Sequence, residues 1–266
     1  MSNRLEKIRA AMATKGLEGL LVWKAENRFY LSGFTGSAGM LFITLTEQYL
    51  ITDFRYFNQA EEQASQYTLF PATKSIFASL KELFGKCNDV KKIGFEENFW
   101  TYAEFIKFKE ECLEHAINWQ PAGEIIAELR LIKDQEELQT IKKAVELTDE
   151  AFQHVMKQIK AGITEREVAV ELEYYMRTRG ASGPSFDYIV ASGKRGAMPH
   201  GVATHKQIKA GELVTVDFGC VYQGYCSDMT RNFIFGDPDN KQKEVYELVL
   251  KGQLAAVLTI TVGQRW

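Results

Sequence analysis

The chain has 266 residues, enough for one large domain or two ordinary ones, each with its own hydrophobic core. With 45% hydrophobic and 25% charged residues, its composition is that of a globular protein. A net charge of -3 gives no reason to expect binding to nucleic acid or to an anionic membrane. No apolar run approaches the ~18 residues of a bilayer span, and the first residues lack the apolar core of a secretory signal, so a cytoplasmic location is expected.

The first half of the sequence alternates strand patterns with helix patterns. Such alternation predicts an α/β domain in which helices cover a sheet. The predicted elements are a helix over 5–12, a strand over 17–23, a hairpin of 40–45 and 48–52, helices over 56–63 and 76–84, a strand over 92–95 and a helix over 101–112.

The loop YLSGFTGSAG has evenly spaced glycines at Gly33, Gly36 and Gly39. The spacing invites a phosphate-binding interpretation, but it matches neither G-x-G-x-x-G nor G-x-x-x-x-G-K-[ST]. A turn-rich connection is therefore favoured over a nucleotide site. Asp53 and Arg55, just downstream, are expected to form a local ion pair.

Pro121 and Gly123 punctuate the middle of the chain, which predicts a first domain over 1–122 and a second over 123–266. Two D/T-x-x-E capping boxes, beginning at Asp134 and Thr164, start the first two helices of the second domain. A further helix is expected to begin near Asn240. The residues predicted to face inward are Leu138, Ile141, Val145, Phe152, Val155 and Ile159 on the first helix, Val168, Leu172, Tyr175 and Met176 on the second, and Val245, Leu248 and Val249 on the last.

The stretch Leu213–Phe235 contains two runs of β-branched and aromatic residues around a break with two glycines, which predicts a β-hairpin. A turn at 222–223 would bring Asp217 of the first run roughly opposite Asp228 of the second. Facing carboxylates repel unless a proton or a cation lies between them, and hard divalent cations prefer carboxylate oxygen. The alternative is an ordinary turn role, in which each aspartate bonds nearby backbone amides.

The motifs around these two aspartates also resemble those of a known protein superfamily. VDFG at Asp217, SDMTR at Asp228, the spacing between them and the His200 of MPHG resemble the first half of the site of the creatinase, aminopeptidase P and methionine aminopeptidase superfamily. YLSGFTGSAG followed by TDFRY resembles the creatinase-like N-terminal domain of aminopeptidase P. The best match is to the Xaa-Pro peptidases, and it extends from Leu5 to about Val257.

The resemblance implies a creatinase-like α/β domain followed by the first half of a pita-bread (α+β) metallopeptidase domain. It implies a metal-dependent exopeptidase of the Xaa-Pro aminopeptidase type, which hydrolyses the bond between an N-terminal residue and proline, with proline dipeptidase as the near alternative. The implied cofactors are two divalent ions, Mn²⁺ above all, with Asp217 and Asp228 among the metal ligands. His200 would hydrogen-bond the substrate or the developing tetrahedral intermediate.

The sequence also departs from the family. The family site has five ligands, two Asp followed by a His and two Glu, but no histidine follows Asp228 here. The later Glu244 and Glu247 are expected to face solvent, and LTITVGQRW does not resemble the family's continuation. A truncated domain is therefore expected, with weak metal binding, little or no peptidase activity alone, and exposed apolar surface that leaves a homodimer open.

A non-catalytic function is the alternative of another class. Some relatives of this fold are binding modules or, like creatinase, work without metal, and those relatives lose the ligand aspartates. Retention of Asp217 and Asp228 favours descent from a metal enzyme. Because the later ligands are lacking, the alternative remains that the chain is a non-catalytic remnant, or a binding or dimerisation module.

Overall fold

The structure is a computed structural model that describes residues 2–264. Contacts between Cα atoms divide the chain into two compact units, with the division between Lys133 and Asp134. Each unit has its own sheet structure and its own hydrophobic clusters, so each is described by itself. Within residues 2–264, no helix is both long and apolar enough to cross a membrane.

The described part of the first unit is built on one mixed sheet. Its strands are β1 (Gly19–Val22), β2 (Met40–Thr44), β3 (Gln48–Thr52), β4 (Thr68–Pro71), β5 (Lys92–Phe95) and β6 (Asn118–Pro121). The order of the strands across the sheet is β4-β3-β2-β1-β5-β6. Strands β1, β2 and β3 pair antiparallel, whereas β4, β5 and β6 join by parallel pairing. The helices are α1 (Ser2–Thr14), α2 (Ala25–Ser32), α3 (Phe57–Gln63), α4 (Ile76–Lys86), α5 (Tyr102–Glu111) and α6 (Gly123–Leu131).

Helix α6 accounts for the difference between the predicted boundary at 122–123 and the observed division after Lys133. The sequence places α6 in the second domain because Pro121 and Gly123 precede it. In the structure α6 packs against α1, and its Ile125 and Ile126 are buried in a cluster of the first unit. Tertiary burial therefore outweighs the local turn signal as a guide to where the unit ends.

The glycine loop is held by a buried arginine of α2, a helix that the sequence pattern did not reveal. Nη1 of Arg28 donates to the carbonyl oxygen of Gly39 at 2.6 Å, and Nη2 donates to that of Gly36. Gly33 ends α2 in the left-handed region, with φ of 78°. The loop therefore packs its carbonyl groups inward, as expected of a structural connection, and Asp53 and Arg55 beside it form the predicted ion pair at 2.8 Å.

In its described part, the second unit has two three-stranded sheets and three helices. Its strands are β7 (Gly183–Pro184), β8 (Ile189–Ser192), β9 (Leu213–Phe218), β10 (Cys220–Tyr222), β11 (Tyr225–Cys226) and β12 (Met229–Ile234), and its helices are α7 (Gln135–Met156), α8 (Glu165–Arg177) and α9 (Asn240–Thr259). The sheets have the orders β11-β10-β7 and β12-β9-β8. The predicted hairpin is thus shared between two sheets, because the chain changes sheet at Gly219 and again at 227–228.

Two helix faces differ from those predicted. On α7, Leu138 and Val145 are nearly half exposed, so the predicted stripe is wrong in the first half of the helix. Further along, Val155 is buried and Phe152 and Ile159 pack against the core of the second unit, as predicted. The face that packs against α8 and β10 carries small residues, which allow close approach of the elements. The buried apolar residues of α7 are Ala144, Leu147, Ala151 and Val155. On α9 no described residue is buried, so the inward face predicted for Val245, Leu248 and Val249 is wrong as well.

Helix α8 follows the sequence closely. It begins at the predicted capping box, in which the Thr164 hydroxyl accepts from the Glu167 amide and the Glu167 carboxylate accepts from Thr164. Its Val168, Leu172 and Met176 are buried, as the apolar spacing predicts. They pack in the same cluster as the inner residues of β9, which fixes the sheet that carries the two aspartates.

Candidate active site

Strand β9 has one buried and one open face. Val214, Val216 and Phe218 are buried in the core of the second unit, while Thr215 and Asp217 are half-buried on the other side. This alternation follows the period of a strand with one face in the core. Burying each valine or phenylalanine is worth roughly 1.5–3 kcal/mol, so the core side of β9 fixes which way Asp217 points.

The register of the hairpin differs from the prediction. Asp217 lies opposite Thr230, and not opposite Asp228, because the turn lies at Gln223–Gly224 and Tyr222 pairs with Tyr225. Both turn residues have positive φ, 47° and 81°, the combination that a two-residue type I′ turn requires. A shift of two residues keeps side chains on the same face, whereas a shift of one would reverse them.

Gly219 allows the break between the two halves of the hairpin. A Cβ atom there would lie 2.0 Å from the carbonyl oxygen of Ser227, so only glycine permits this approach of the two strands. The same carbonyl oxygen accepts a hydrogen bond from the Ser185 hydroxyl at 2.8 Å. The backbone beside Asp228 is thereby held close to the end of β9.

The open side of the β12-β9-β8 sheet carries polar side chains in neighbouring rows. The Thr230 hydroxyl donates to Oδ1 of Asp217 at 2.7 Å, and the Thr215 hydroxyl donates to Oδ1 of Asn232 at 2.7 Å. We call these four residues the Asp217 face. Thr230 orients the Asp217 carboxylate and leaves its second oxygen to other partners, a role that sequence reasoning missed because it depends on the register.

Asp228 lies between β11 and β12, two residues before Thr230. It is exposed and stands outside both strands, and strand alternation continued back from Thr230 would place it on the side of the Asp217 face. By the same continuation the two aspartates would be diagonal neighbours, whereas Thr230 is the residue directly opposite Asp217.

The loop with His200 lies against the same side of the sheet. It leaves β8 after Ser192, forms a 3-10 turn over Gly193–Ala197 and returns through a bridge between Val202 and Ile189. A Cβ atom at Gly201 would lie 3.2 Å from the Ala191 methyl group, and one at Gly196 would lie 3.7 Å from Oγ1 of Thr215.

Ala191 pairs with Thr215 in the register of β8 and β9, so its methyl group points to the open side of the sheet. Its complete burial shows that the loop covers this row. His200 is an exposed residue of that covering loop, and His205 is exposed farther along it.

A buried carboxylate, Glu165, closes the loop at its base. Its oxygens accept hydrogen bonds from Ser192, Arg195 and Thr204. Burial alone would raise the pKa of Glu165, but hydrogen bonds from Thr204 and Ser192 outweigh it and hold the pKa below its usual value. Sequence reasoning missed this role, because an acidic residue in the first turn of a helix is ordinary.

The side chains of this face are of the chemical type that binds a divalent metal ion, but few of them are available as ligands. Asp217 is a carboxylate on the open side of the sheet and Asp228 is an exposed carboxylate immediately before β12, and hard cations prefer such ligands. Among residues 2–264, no three or more His, Cys, Asp or Glu side chains gather in a way that could hold a metal ion. Two carboxylates leave most of a coordination shell to water or substrate.

Known proteins resemble the chain over nearly its whole length. The profile described as Metallopeptidase family M24 matches residues 139–266, and that of the Creatinase/Prolidase N-terminal domain matches residues 4–132. An uncharacterized peptidase of Bacillus subtilis is 41% identical over 263 residues, which are 98% of this chain and 73% of the relative. The chain belongs to metallopeptidase family M24. Members of this family generally use divalent metal ions.

Solved structures place this M24 chain among the Xaa-Pro peptidases by fold. An Xaa-Pro dipeptidase from Bacillus anthracis has a TM-score of 0.91 and 40% identity, covering 99% of this chain and 73% of its own length. An X-Pro aminopeptidase from Thermotoga maritima has a TM-score of 0.85 and 33% identity, covering 92% and 70%. The predicted family, the creatinase-like domain with pita-bread architecture, and the assignment as an enzyme by family are confirmed.

Proposed function

We propose that this chain is of the Xaa-Pro dipeptidase type and acts on the peptide bond that precedes proline. The sequence alone favours aminopeptidase P. The higher identity and TM-score of the Bacillus anthracis dipeptidase support the dipeptidase instead. The observation that carries the proposal is the Asp217 face, on a side of the sheet that the His200 loop partly covers, with Asp228 two residues before Thr230 in the chain.

Each residue has a chemical role in this proposal. Asp217 and Asp228 hold a divalent ion, and Thr230 orients Asp217 by donating to its Oδ1. When bound, such an ion polarises the scissile carbonyl group as a Lewis acid. His200 donates a hydrogen bond to the oxygen that gains negative charge, the kind of interaction that stabilises a tetrahedral transition state. The loop covers Ala191 on the same side of the sheet and so limits the access of water there.

Metal binding tests the two carboxylates directly. We expect calorimetric titration with Mn²⁺ to give weak affinity, with Kd on the order of 10⁻⁴–10⁻³ M, because two side chains supply only part of the shell. Asp217→Asn and Asp228→Asn should each weaken binding about tenfold or more, a loss of ~1.4 kcal/mol. Asp237→Asn, an exposed aspartate between β12 and α9, is the matched control and should bind Mn²⁺ like the wild type.

Substrate length tests the choice between the two peptidase types. With Mn²⁺ present, the dipeptidase type predicts that any turnover is confined to Gly-Pro, and that a bradykinin-like peptide with proline second is not cleaved. Cleavage of the longer peptide would favour the aminopeptidase. Little or no turnover by this chain alone stays a prediction of the sequence. Tight binding of two ions would contradict the weak site.

The non-catalytic alternative can be distinguished from both the dipeptidase and the aminopeptidase. A binding module of the same fold would hold proline-containing peptides without needing Mn²⁺, and its affinity would not change after chelation. A cytoplasmic location and a homodimer stay predictions of the sequence.

A further inference from the structure

Glu165 is completely buried, with 0% of its surface exposed, although it carries a carboxylate at the first position of α8. A buried carboxylate is costly unless hydrogen bonds replace its water. Oε1 accepts from the Ser192 amide at 2.9 Å and the Ser192 hydroxyl at 2.8 Å. Oε2 accepts from the Thr204 hydroxyl at 2.7 Å, the Thr204 amide at 3.2 Å and Nε of Arg195 at 3.1 Å.

These donors belong to a single loop. Ser192 is the last residue of β8, Arg195 lies in the 3-10 turn, and Thr204 lies two residues after the bridge at Val202. Arg195 also crosses the loop, since its Nη2 donates to the carbonyl oxygen of Val202 at 2.8 Å. One carboxylate therefore ties together the start, the middle and the end of the segment that carries His200.

Capping of α8 does not explain this arrangement. The helix start is already satisfied by the reciprocal bonds between Thr164 and Glu167. An acidic residue that only complements the helix dipole needs no burial. The hydrogen bonds that Glu165 accepts come from the loop and not from the amides of its own helix.

We propose that Glu165 is a positioning residue, which holds the His200 loop against the side of the sheet that carries Asp217. This inference rests on the proposed function, because that function gives His200 its role. The loop reaches this side through Gly201 over Ala191 and Gly196 beside Thr215. Release of the loop at its base moves His200 relative to Asp217 without changing either of the two carboxylates.

Glu165→Gln tests the inference, with Glu173→Gln as the control. Glutamine keeps the shape of the side chain and removes the charge that pairs with Arg195. Glu173 lies on the same helix and pairs with Arg177 at 2.7 Å in a more exposed position. The measurement is broadening of the His200 ring signals by Mn²⁺ in NMR spectra, assigned with His200→Gln and compared at equal Mn²⁺ occupancy.

We expect Mn²⁺ to broaden the His200 signals in the wild type and in Glu173→Gln, and to broaden them severalfold less in Glu165→Gln. Trypsin gives a second readout that needs no metal. Cleavage after Lys194 and Arg195 should become severalfold faster in Glu165→Gln, relative to cleavage after Lys160 in the α7–α8 connection. A general loss of stability would accelerate cleavage at all three sites.

The outcomes separate the two proposals. If Mn²⁺ binding does not depend on Asp217, the proposed function fails, and the trypsin comparison still tests whether Glu165 holds the loop. If binding depends on Asp217 but both His200 broadening and loop cleavage match the wild type, the role of Glu165 is overturned. Should Glu165→Gln not fold, Thr204→Val removes one hydroxyl donor and should shift both readouts in the same direction. Unchanged values in that variant overturn the proposal equally.

Discussion

Glu96 and Glu165 are both buried glutamates, yet the fold shifts the pKa values of their carboxyl groups in opposite directions. Glu96, 2% exposed, accepts hydrogen bonds from the amides of Trp23 and Lys24 and from Nδ2 of Asn27. Burial nevertheless raises the pKa of Glu96 above its usual value. At Glu165 burial also acts to raise the pKa, but the hydrogen bonds from the loop prevail and lower it.

The lowered pKa of Glu165 predicts how Glu165→Gln changes stability with pH. The carboxylate contributes stability that is present above the unfolded-state pKa of ~4.3 and is lost as pH falls through the folded-state pKa. We expect the variant to lose about 1–3 kcal/mol of unfolding free energy at neutral pH. The difference from the wild type should shrink below pH ~4, as measured by urea denaturation. A difference that stays constant with pH would contradict this assignment.

Glu96→Gln should show the opposite slope. A raised folded-state pKa means that the contribution of Glu96 is fully present below the unfolded-state pKa of ~4.3 and is lost as pH rises through the folded-state value. The unfolding free energy of the wild type, relative to that of Glu96→Gln, should therefore decrease between acid and neutral pH. The same urea series measures it, and a wild type that gains relative stability as pH rises would overturn the prediction.

The turn at Gln223–Gly224 gives a prediction for the hairpin. Both residues have positive φ, which glycine and asparagine adopt at lower cost than glutamine. Gln223→Asn should therefore raise the unfolding free energy by about 0.5 kcal/mol, whereas Gly224→Ala should lower it by ~1 kcal/mol or more. Gln223→Ala is the control, since alanine lacks the preference of asparagine. Equal stability of the Asn and Ala variants in urea would argue against this turn.

Sequence patterns predicted local features well and long-range packing less well. The hairpin of β2 and β3 and the capping boxes at Asp134 and Thr164 follow from residues that lie close together in the chain. The register of β9 and β12 was missed because it depends on one turn, where a shift from 222–223 to 223–224 moves the partner of Asp217.

The site was predictable only where a residue breaks a local rule. Aspartate is depleted in strands, so Asp217 and Asp228 stood out from their neighbours. Thr230 is an ordinary strand residue and Glu165 an ordinary first-turn acid, and only the tertiary contacts give them partners. The alanines in the buried face of α7 were missed for a related reason, since they pack closely but carry a weak apolar signal.

Helix α9 exposes apolar residues that bear on the behaviour of the chain in solution. A helix whose apolar residues are spread around it normally lies buried among other elements. In the structure α9 has no described residue in a core, and Leu254 and Leu258 are 52% and 83% exposed. Exposed apolar surface of this kind favours association and binding of apolar dyes.

Leu254→Gln combined with Leu258→Gln should therefore reduce association of the wild-type chain. The two positions are four residues apart and lie on one side of α9, so the double substitution interrupts a continuous apolar surface. We expect the mass measured by light scattering to rise with concentration in the wild type and to stay closer to that of one chain in the variant. Leu113→Gln, 70% exposed in the first unit, is the control and should behave as the wild type. A wild type that stays monomeric at every concentration would show that α9 alone does not drive association.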